Sequence, residues 1–172
     1  MGTISSVMEE LSSTRNSAQA FSSNVLIDLR IAPQARYARF VRSAVSSYAR
    51  NRGVSETDLE QFLTALGEAL ANAIEHAKTE RPIRIRCRLD EGTITATVAD
   101  AGIGFPPGSR PITHLPPPMS ENGRGLPLMR RCSDIFRVRS VPGKGTAVLL
   151  GRRLLRKATL QHRLPHEIAT NI

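Results

Sequence analysis

Three polar residues, Glu68, Asn72 and His76, recur every four positions within an otherwise apolar run. Four residues is just over one helical turn, so on a helix they form a single stripe. A carboxylate, a carboxamide and an imidazole in line suit phosphoryl chemistry. The amide oxygen is a hard ligand of the kind Mg²⁺ accepts while keeping several of its waters. A carboxylate one turn earlier is placed to orient or deprotonate an attacking hydroxyl. Asn is a poor mid-helix residue because its amide competes for backbone hydrogen bonds, and cation coordination would compensate that cost. Taken alone, the stripe fits a solvated helix face at least as well.

Three glycine-bearing segments extend the pattern. Asp100-Ala101-Gly102-Ile103-Gly104 follows a strand-like run. A short acid and two alternate glycines allow a tight turn with exposed backbone amides, and the carboxylate can accept a hydrogen bond from the exocyclic amine of a purine. A turn that merely ends a strand uses the same residues. Gly123-Arg124-Gly125-Leu126 opens a helical segment. Glycines there expose N–H groups toward an anion, which the helix dipole favours, and Arg124 adds a direct charge. A helix start with permissive glycines is the plainer reading. Gly145-Thr146 begins a late strand, from which Thr146 can reach a polar ligand near Asp100.

The elements that must hold these residues follow from periodicity. The helix Ser55–Ala77 has Ser55 as N-cap. Leu59, Phe62, Leu63, Leu66, Leu70, Ala73, Ile74 and Ala77 form a core stripe, about 145° from the Glu68/Asn72/His76 stripe. Ala65 and Ala69 flank the polar stripe and leave room for a ligand. Asn24–Ile31 alternates as a first strand. Pro33 opens a helix with apolar positions Ala35, Ala38, Val41, Val45 and Tyr48, ended by Gly53. Arg81–Leu89 and Thr93–Ala99 alternate around Asp90-Glu91-Gly92, a hairpin signal. A proline-rich loop runs from Asp100 to Asn122, with a likeness to polyproline II at Pro116-Pro117-Pro118. A short helix spans Gly123–Ser133, and strands Ile135–Val141 and Thr146–Leu150 close the pattern. The order predicts an α+β two-layer sandwich, with about three helices on one face of a mixed, mainly antiparallel sheet. Arg84, Arg86, Arg88, Arg137 and Arg139 fall on the other face.

The 172 residues suit one domain, and 40% are apolar with only 4% aromatic, so Leu, Ile, Val and Ala must build the core. The expected organisation is a leader at 1–23, a domain at 24–151 and a basic tail at 152–172. No apolar run reaches the roughly 18–20 residues of a membrane span, and the first residues lack the order of a secretory signal. Two cysteines, Cys87 and Cys132, make neither a disulfide framework nor a four-ligand zinc site. A reducing cytoplasm is the default. The formal net charge of +9 is compatible with nucleic acid, an acidic protein or solubility alone. No aromatic platform interleaves the arginines, which argues against nucleic acid.

Taken together, Glu68-x-x-x-Asn72, Asp100-x-Gly102-x-Gly104, Gly123-x-Gly125-Leu126 and Gly145-Thr146, in this order, resemble the Bergerat ATP-binding superfamily of DNA gyrase, heat-shock chaperones, mismatch-repair proteins and histidine kinases. Roughly residues 25–151 carry the resemblance. The Glu-Ala-x-x-Asn-Ala-x-x-His run is most similar to the small serine-protein kinases that act as anti-sigma factors in partner switching. Neither a transducer domain nor a dimerisation helix with a phosphoacceptor histidine is expected. The resemblance implies that Asn72 holds the Mg²⁺ that bridges the ATP phosphates, and that Glu68 is general base toward a Ser or Thr hydroxyl. It implies that Asp100 and Thr146 bind adenine, and that Gly102, Ile103 and Gly104 shape the pocket. Phe105–Asn122 would be the ATP lid, and Gly123, Arg124, Gly125 and Leu126 would close on the phosphates. His76 matches a common family position. The implied partners are a STAS-type anti-anti-sigma protein, a sigma factor or other regulator, and a second copy of the chain, with no direct role for nucleic acid or membrane. A nucleotide-dependent binding module without catalysis remains the alternative.

Overall fold

The computed structural model describes residues 25–90, 92–106 and 124–154. The expected leader, the proline-rich loop beyond Pro106 with Gly123, and the tail from residue 155 lie outside them. The elements in order are β1 (Val25–Ile31), α1 (Ala35–Asn51), α2 (Glu56–His76), β2 (Ile83–Asp90), β3 (Thr93–Ala99), α3 (Gly125–Arg131), β4 (Ile135–Val141) and β5 (Gly145–Arg153). Helix α1 starts after Pro33, because Gln34 is extended at its N-cap. Strand β5 runs two residues beyond the expected domain end at 151, because Arg152 and Arg153 pair with Ile94 and Thr93.

The five strands lie in the order β1-β2-β3-β5-β4. All four pairings are antiparallel, with no parallel pair among the described residues. The α+β sandwich expected from the alternation is what forms. Ile83, Ile85 and Cys87 of β2 and Ile94, Ala96 and Val98 of β3 are buried on the helical side. Arg84, Arg86 and Arg88 take the opposite face. There Asp28 of β1 accepts from Arg84 Nε at 3.2 Å and Nη2 at 3.0 Å, and from Arg86 Nε at 3.1 Å. The Arg84 hydrogen bond, more than any other contact, lowers the Asp28 carboxyl below its usual range. Burial pushes the Cys87 thiol up to about 12, so it stays protonated and packs as a small apolar group.

Helix α2 lies against β3 and β5, flanked by α1 and α3. Its Leu59, Phe62, Leu66 and Leu70 are fully enclosed, together with Val41 and Val45 of α1 and Met129 of α3. Ala65 and Ala69 are also enclosed. Ala65 widens the buried stripe of the helix and does not reach the cleft described below, which corrects the expectation that it leaves room for a ligand, whereas Ala69 does line that cleft.

Local rules fix the join between the first two helices. Gly53, at φ +74, ends α1. Its N–H donates to Arg50 O at 2.9 Å and the Val54 N–H to Ala49 O at 3.2 Å, the two bonds of a Schellman motif. Ser55 follows as N-cap of α2, its Oγ accepting from the Asp58 N–H at 3.2 Å, and its hydroxyl donates to Asp58 Oδ2 at 2.8 Å. The Asp58 residue is 0% exposed. Arg152 at the end of β5 donates from Nε to Asp58 Oδ1 at 3.3 Å and approaches Asp134 at 3.6 Å. The start of α2 is thereby tied to the far end of the sheet.

Replacing Arg152 by Met keeps the aliphatic stem and takes the guanidinium from a carboxylate that water does not reach. The expected loss is about 3 kcal/mol of stability, the range for breaking a buried pair, read from urea unfolding. A loss below about 1 kcal/mol would match an exposed pair and contradict the assignment.

Candidate functional site

Helix α2 projects Asn72 and His76 into an open cleft at the edge of the sandwich. Asp100, Ile103, Gly104 and Phe105, from the segment after β3, form a second wall. Leu126 of α3 and Thr146 of β5 complete the polar and apolar rim, over a floor of Ala69, Ala73, Ala77, Val98 and Val148. Seven of the residues singled out from the sequence therefore meet in one place: Asn72, His76, Asp100, Ile103, Gly104, Leu126 and Thr146. Glu68 is half-buried one turn before Asn72 and is not among the lining residues. Four residues of helix set it about 6 Å from Asn72 along the axis.

Asp100 is 6% exposed and is held by backbone. Its Oδ1 accepts from the Gly102 N–H at 2.9 Å and the Thr146 N–H at 3.3 Å. Its own N–H donates to Thr146 O at 2.9 Å. Burial raises its pKa above the ordinary carboxylate value, and the N–H groups of Gly102 and Thr146 oppose that rise. No hydrogen bond among the described residues uses its Oδ2, which leaves an acceptor for a ligand.

The glycines act through close backbone approach. A β-carbon on Gly102 would stand 2.1 Å from Ala77 O, one on Gly104 would stand 2.2 Å from Val141 O, and one on Gly145 would stand 2.1 Å from Asp100 O. Gly104 and Gly145 also have positive φ, at +60 and +106. Two amides of the Asp-x-Gly-x-Gly turn, expected to be exposed, are taken up within the protein. The Gly102 N–H goes to Asp100, and the Ile103 N–H goes to Ala77 O at 2.9 Å. The turn uses them to clamp itself to the C-terminal end of α2.

At the other end of the cleft, Gly125 abuts Asn72. A β-carbon there would lie 2.9 Å from Asn72 Nδ2 and 3.1 Å from its Oδ1. The Asn72 carboxamide has no hydrogen-bond partner among the described residues. Arg124, at the N-cap of α3, is exposed.

Ser140 was not singled out from the sequence. Ser140 Oγ lies 2.9 Å from Thr146 Oγ1 and accepts from the Phe105 N–H at 2.8 Å. The hairpin register was a usable signal, since Ser140 pairs directly with Thr146 across β4 and β5.

Comparison with known proteins is consistent with this arrangement. Residues 31–151 match the family described as histidine kinase-like ATPase domain. The anti-sigma F factor of Geobacillus stearothermophilus is 28% identical over 127 residues, covering 70% of this chain and 87% of that protein. The serine-protein kinase RsbW of Bacillus thuringiensis is 28% identical over 144 residues, covering 76% of this chain and 86% of that protein. The solved structure of the RsbU and RsbW domains of Rv1364c from Mycobacterium tuberculosis superposes with a TM-score of 0.58 at 22% identity, covering 74% of this chain and 31% of that longer one. That likeness concerns the fold. With the family match spanning residues 31–151, most of the sequence, the chain belongs to the histidine kinase-like ATPase domain family.

Proposed function

We propose that this chain is an ATP-dependent protein serine/threonine kinase and anti-sigma factor of a bacterial partner-switching pathway. Its substrate is a STAS-type anti-anti-sigma protein, and its alternate partner is a sigma factor or other regulator. The observation that carries this is the pairing of two unsatisfied groups in one cleft, the acceptor of Asp100 at one end and the unpartnered Asn72 carboxamide at the other. Names borne by relatives add to it: anti-sigma F factor and serine-protein kinase RsbW.

The residues present suit Mg·ATP. Asp100 Oδ2 accepts from the adenine amino group, and Thr146 completes the base contact. Ala69, Ala73, Val98 and Val148 supply an apolar bed. Asn72 Oδ1 is the protein's hard-oxygen donor, and Gly125 leaves space beside it because it has no side chain. The bound Mg²⁺ supplies charge neutralisation along the phosphates, where positioning and electrostatics account for most of phosphoryl transfer. Glu68, one turn farther out, takes the proton from the incoming serine or threonine hydroxyl. In this reading the protein substrate approaches from beyond the cleft wall, where Glu68 stands. That same place favours the second reading, a nucleotide-dependent binding module without transfer.

No helix among the described residues is long and apolar enough to cross a membrane, in keeping with a cytoplasmic role. Self-association as a homodimer belongs to the same reading.

Three outcomes test it. Asn72→Ala abolishes Mg·ATP binding by calorimetry, and unchanged affinity removes the metal role. Glu68→Gln binds ATP normally and loses transfer to a STAS protein by at least about 100-fold in a labelled-ATP assay. Wild-type turnover in that variant would leave the binding module as the function. Asp100→Asn separates folding from recognition. Because burial raises the Asp100 pKa, the ionised form costs stability near neutrality, and the wild type recovers it as pH falls through the raised pKa toward the ordinary value. Asp100→Asn therefore melts higher than wild type at neutral pH, with a gap that closes on acidification, and it fails to bind adenine nucleotides throughout. A lower melting temperature at neutral pH contradicts the sign.

A further inference from the structure

Among the described residues that line the cleft, Thr146 carries the only hydroxyl. A hydroxyl can present either its proton or a lone pair to a ligand, and its other neighbours decide which. Here the neighbour is Ser140, at 2.9 Å between the two oxygens. Ser140 also accepts the Phe105 N–H at 2.8 Å, which takes one of its two lone pairs, and its own proton has two acceptors in reach. Gly145 O stands at 3.4 Å, at the limit of a hydrogen bond, and Thr146 Oγ1 stands at 2.9 Å, a contact in which either hydroxyl could donate. Of the two acceptors, Thr146 Oγ1 is the nearer.

We propose that Ser140 is a positioning residue for base selection. By donating to Thr146 Oγ1, it leaves the Thr146 proton to be given into the cleft. The consequence concerns the class of purine, and it rests on the nucleotide-binding reading above. Asp100 offers an acceptor and Thr146 a donor, side by side on a backbone-paired frame. A 6-aminopurine presents the complement, an amino donor at C6 next to a ring-nitrogen acceptor. A 6-oxopurine presents an acceptor opposite the carboxylate and an N–H opposite the Thr146 proton, and is mismatched at both. A site built on such pairing rejects the wrong edge strongly, because the buried groups are left unpaired. Without the Ser140 hydroxyl the Thr146 rotor can turn either way, and half of that discrimination is lost. Ser140 also fixes Phe105, so it orients two of the cleft's walls without lining the cleft itself.

The test is calorimetric titration of the full chain with ATP and with inosine triphosphate, which differs at C6, both in Mg²⁺. Wild type prefers ATP. Ser140→Ala lowers the ratio of the two affinities about tenfold, the worth of roughly one hydrogen bond, while Ser140→Thr keeps the hydroxyl and the ratio. In a Thr146→Val background, Ser140→Ala changes the ratio no further. A merely structural role lowers both affinities by one factor and leaves the ratio intact, which overturns the inference. Ser140→Cys keeps the volume with a weak donor and is expected to lose discrimination as well. An unchanged ratio there overturns the inference even if the alanine variant fails to fold. A wild type that prefers ATP beside Ser140 variants with an unchanged ratio of affinities defeats this inference alone, whereas a wild type that binds neither nucleotide defeats the kinase reading beneath it.

Discussion

Three stretches of backbone meet around Asp100 at separations that no β-carbon would permit. The end of α2 touches Gly102, the β4–β5 hairpin touches Gly104, and the start of β5 touches the carbonyl of Asp100 through Gly145. That convergence sets everything polar in the cleft. It shields the Asp100 carboxylate, fixes Oδ1 on two N–H groups, and leaves the second oxygen for a ligand. A side chain at any of the three glycines would push apart elements whose own hydrogen bonds, such as Ile103 N–H to Ala77 O, depend on contact. The glycines therefore serve the packing of the protein on itself before they serve any ligand.

Much of this is visible in the residue order. Alternation in Ile83–Leu89 and Thr93–Ala99 gave the hairpin and the buried face, and Ser55 with Asp58 three residues on gave the start of α2. The four-residue spacing of Asn72 and His76 put them on one wall. Angular arithmetic on a helix does not report what stands against each face. For that reason Ala65 looked open to a ligand and is enclosed away from the cleft, and Glu68, on the same stripe as Asn72, stands outside it. The turn amides looked available because sequence shows where glycine is permitted, not which carbonyl of a distant helix will take its N–H. Ser140 was missed because its role depends on strand register, which the hairpin turn encodes only once its length is counted.

Charge is managed locally rather than globally. The excess of arginine marks one face of the sheet, yet two of those arginines share Asp28, and a third basic residue, Arg152, is drawn to the enclosed Asp58. Such pairs are weak sources of net stability when exposed and costly to break when enclosed. Their effect here is to specify register between β1 and β2, and to fix where α2 begins relative to β5. The position of the helical stripe over the cleft thus depends on a contact at the opposite pole of the molecule.

The junction of α1 and α2 has a mechanical meaning. Arg52, a left-handed glycine, one enclosed valine and a capping serine are all that separate the two helices. With every turn of that elbow hydrogen-bonded, there is no slack in which one helix can swing without the other. The pair is in effect a welded bracket. A load applied to the outer surface of the first helix is passed on to the second, and so toward the Asn72 amide at the cleft.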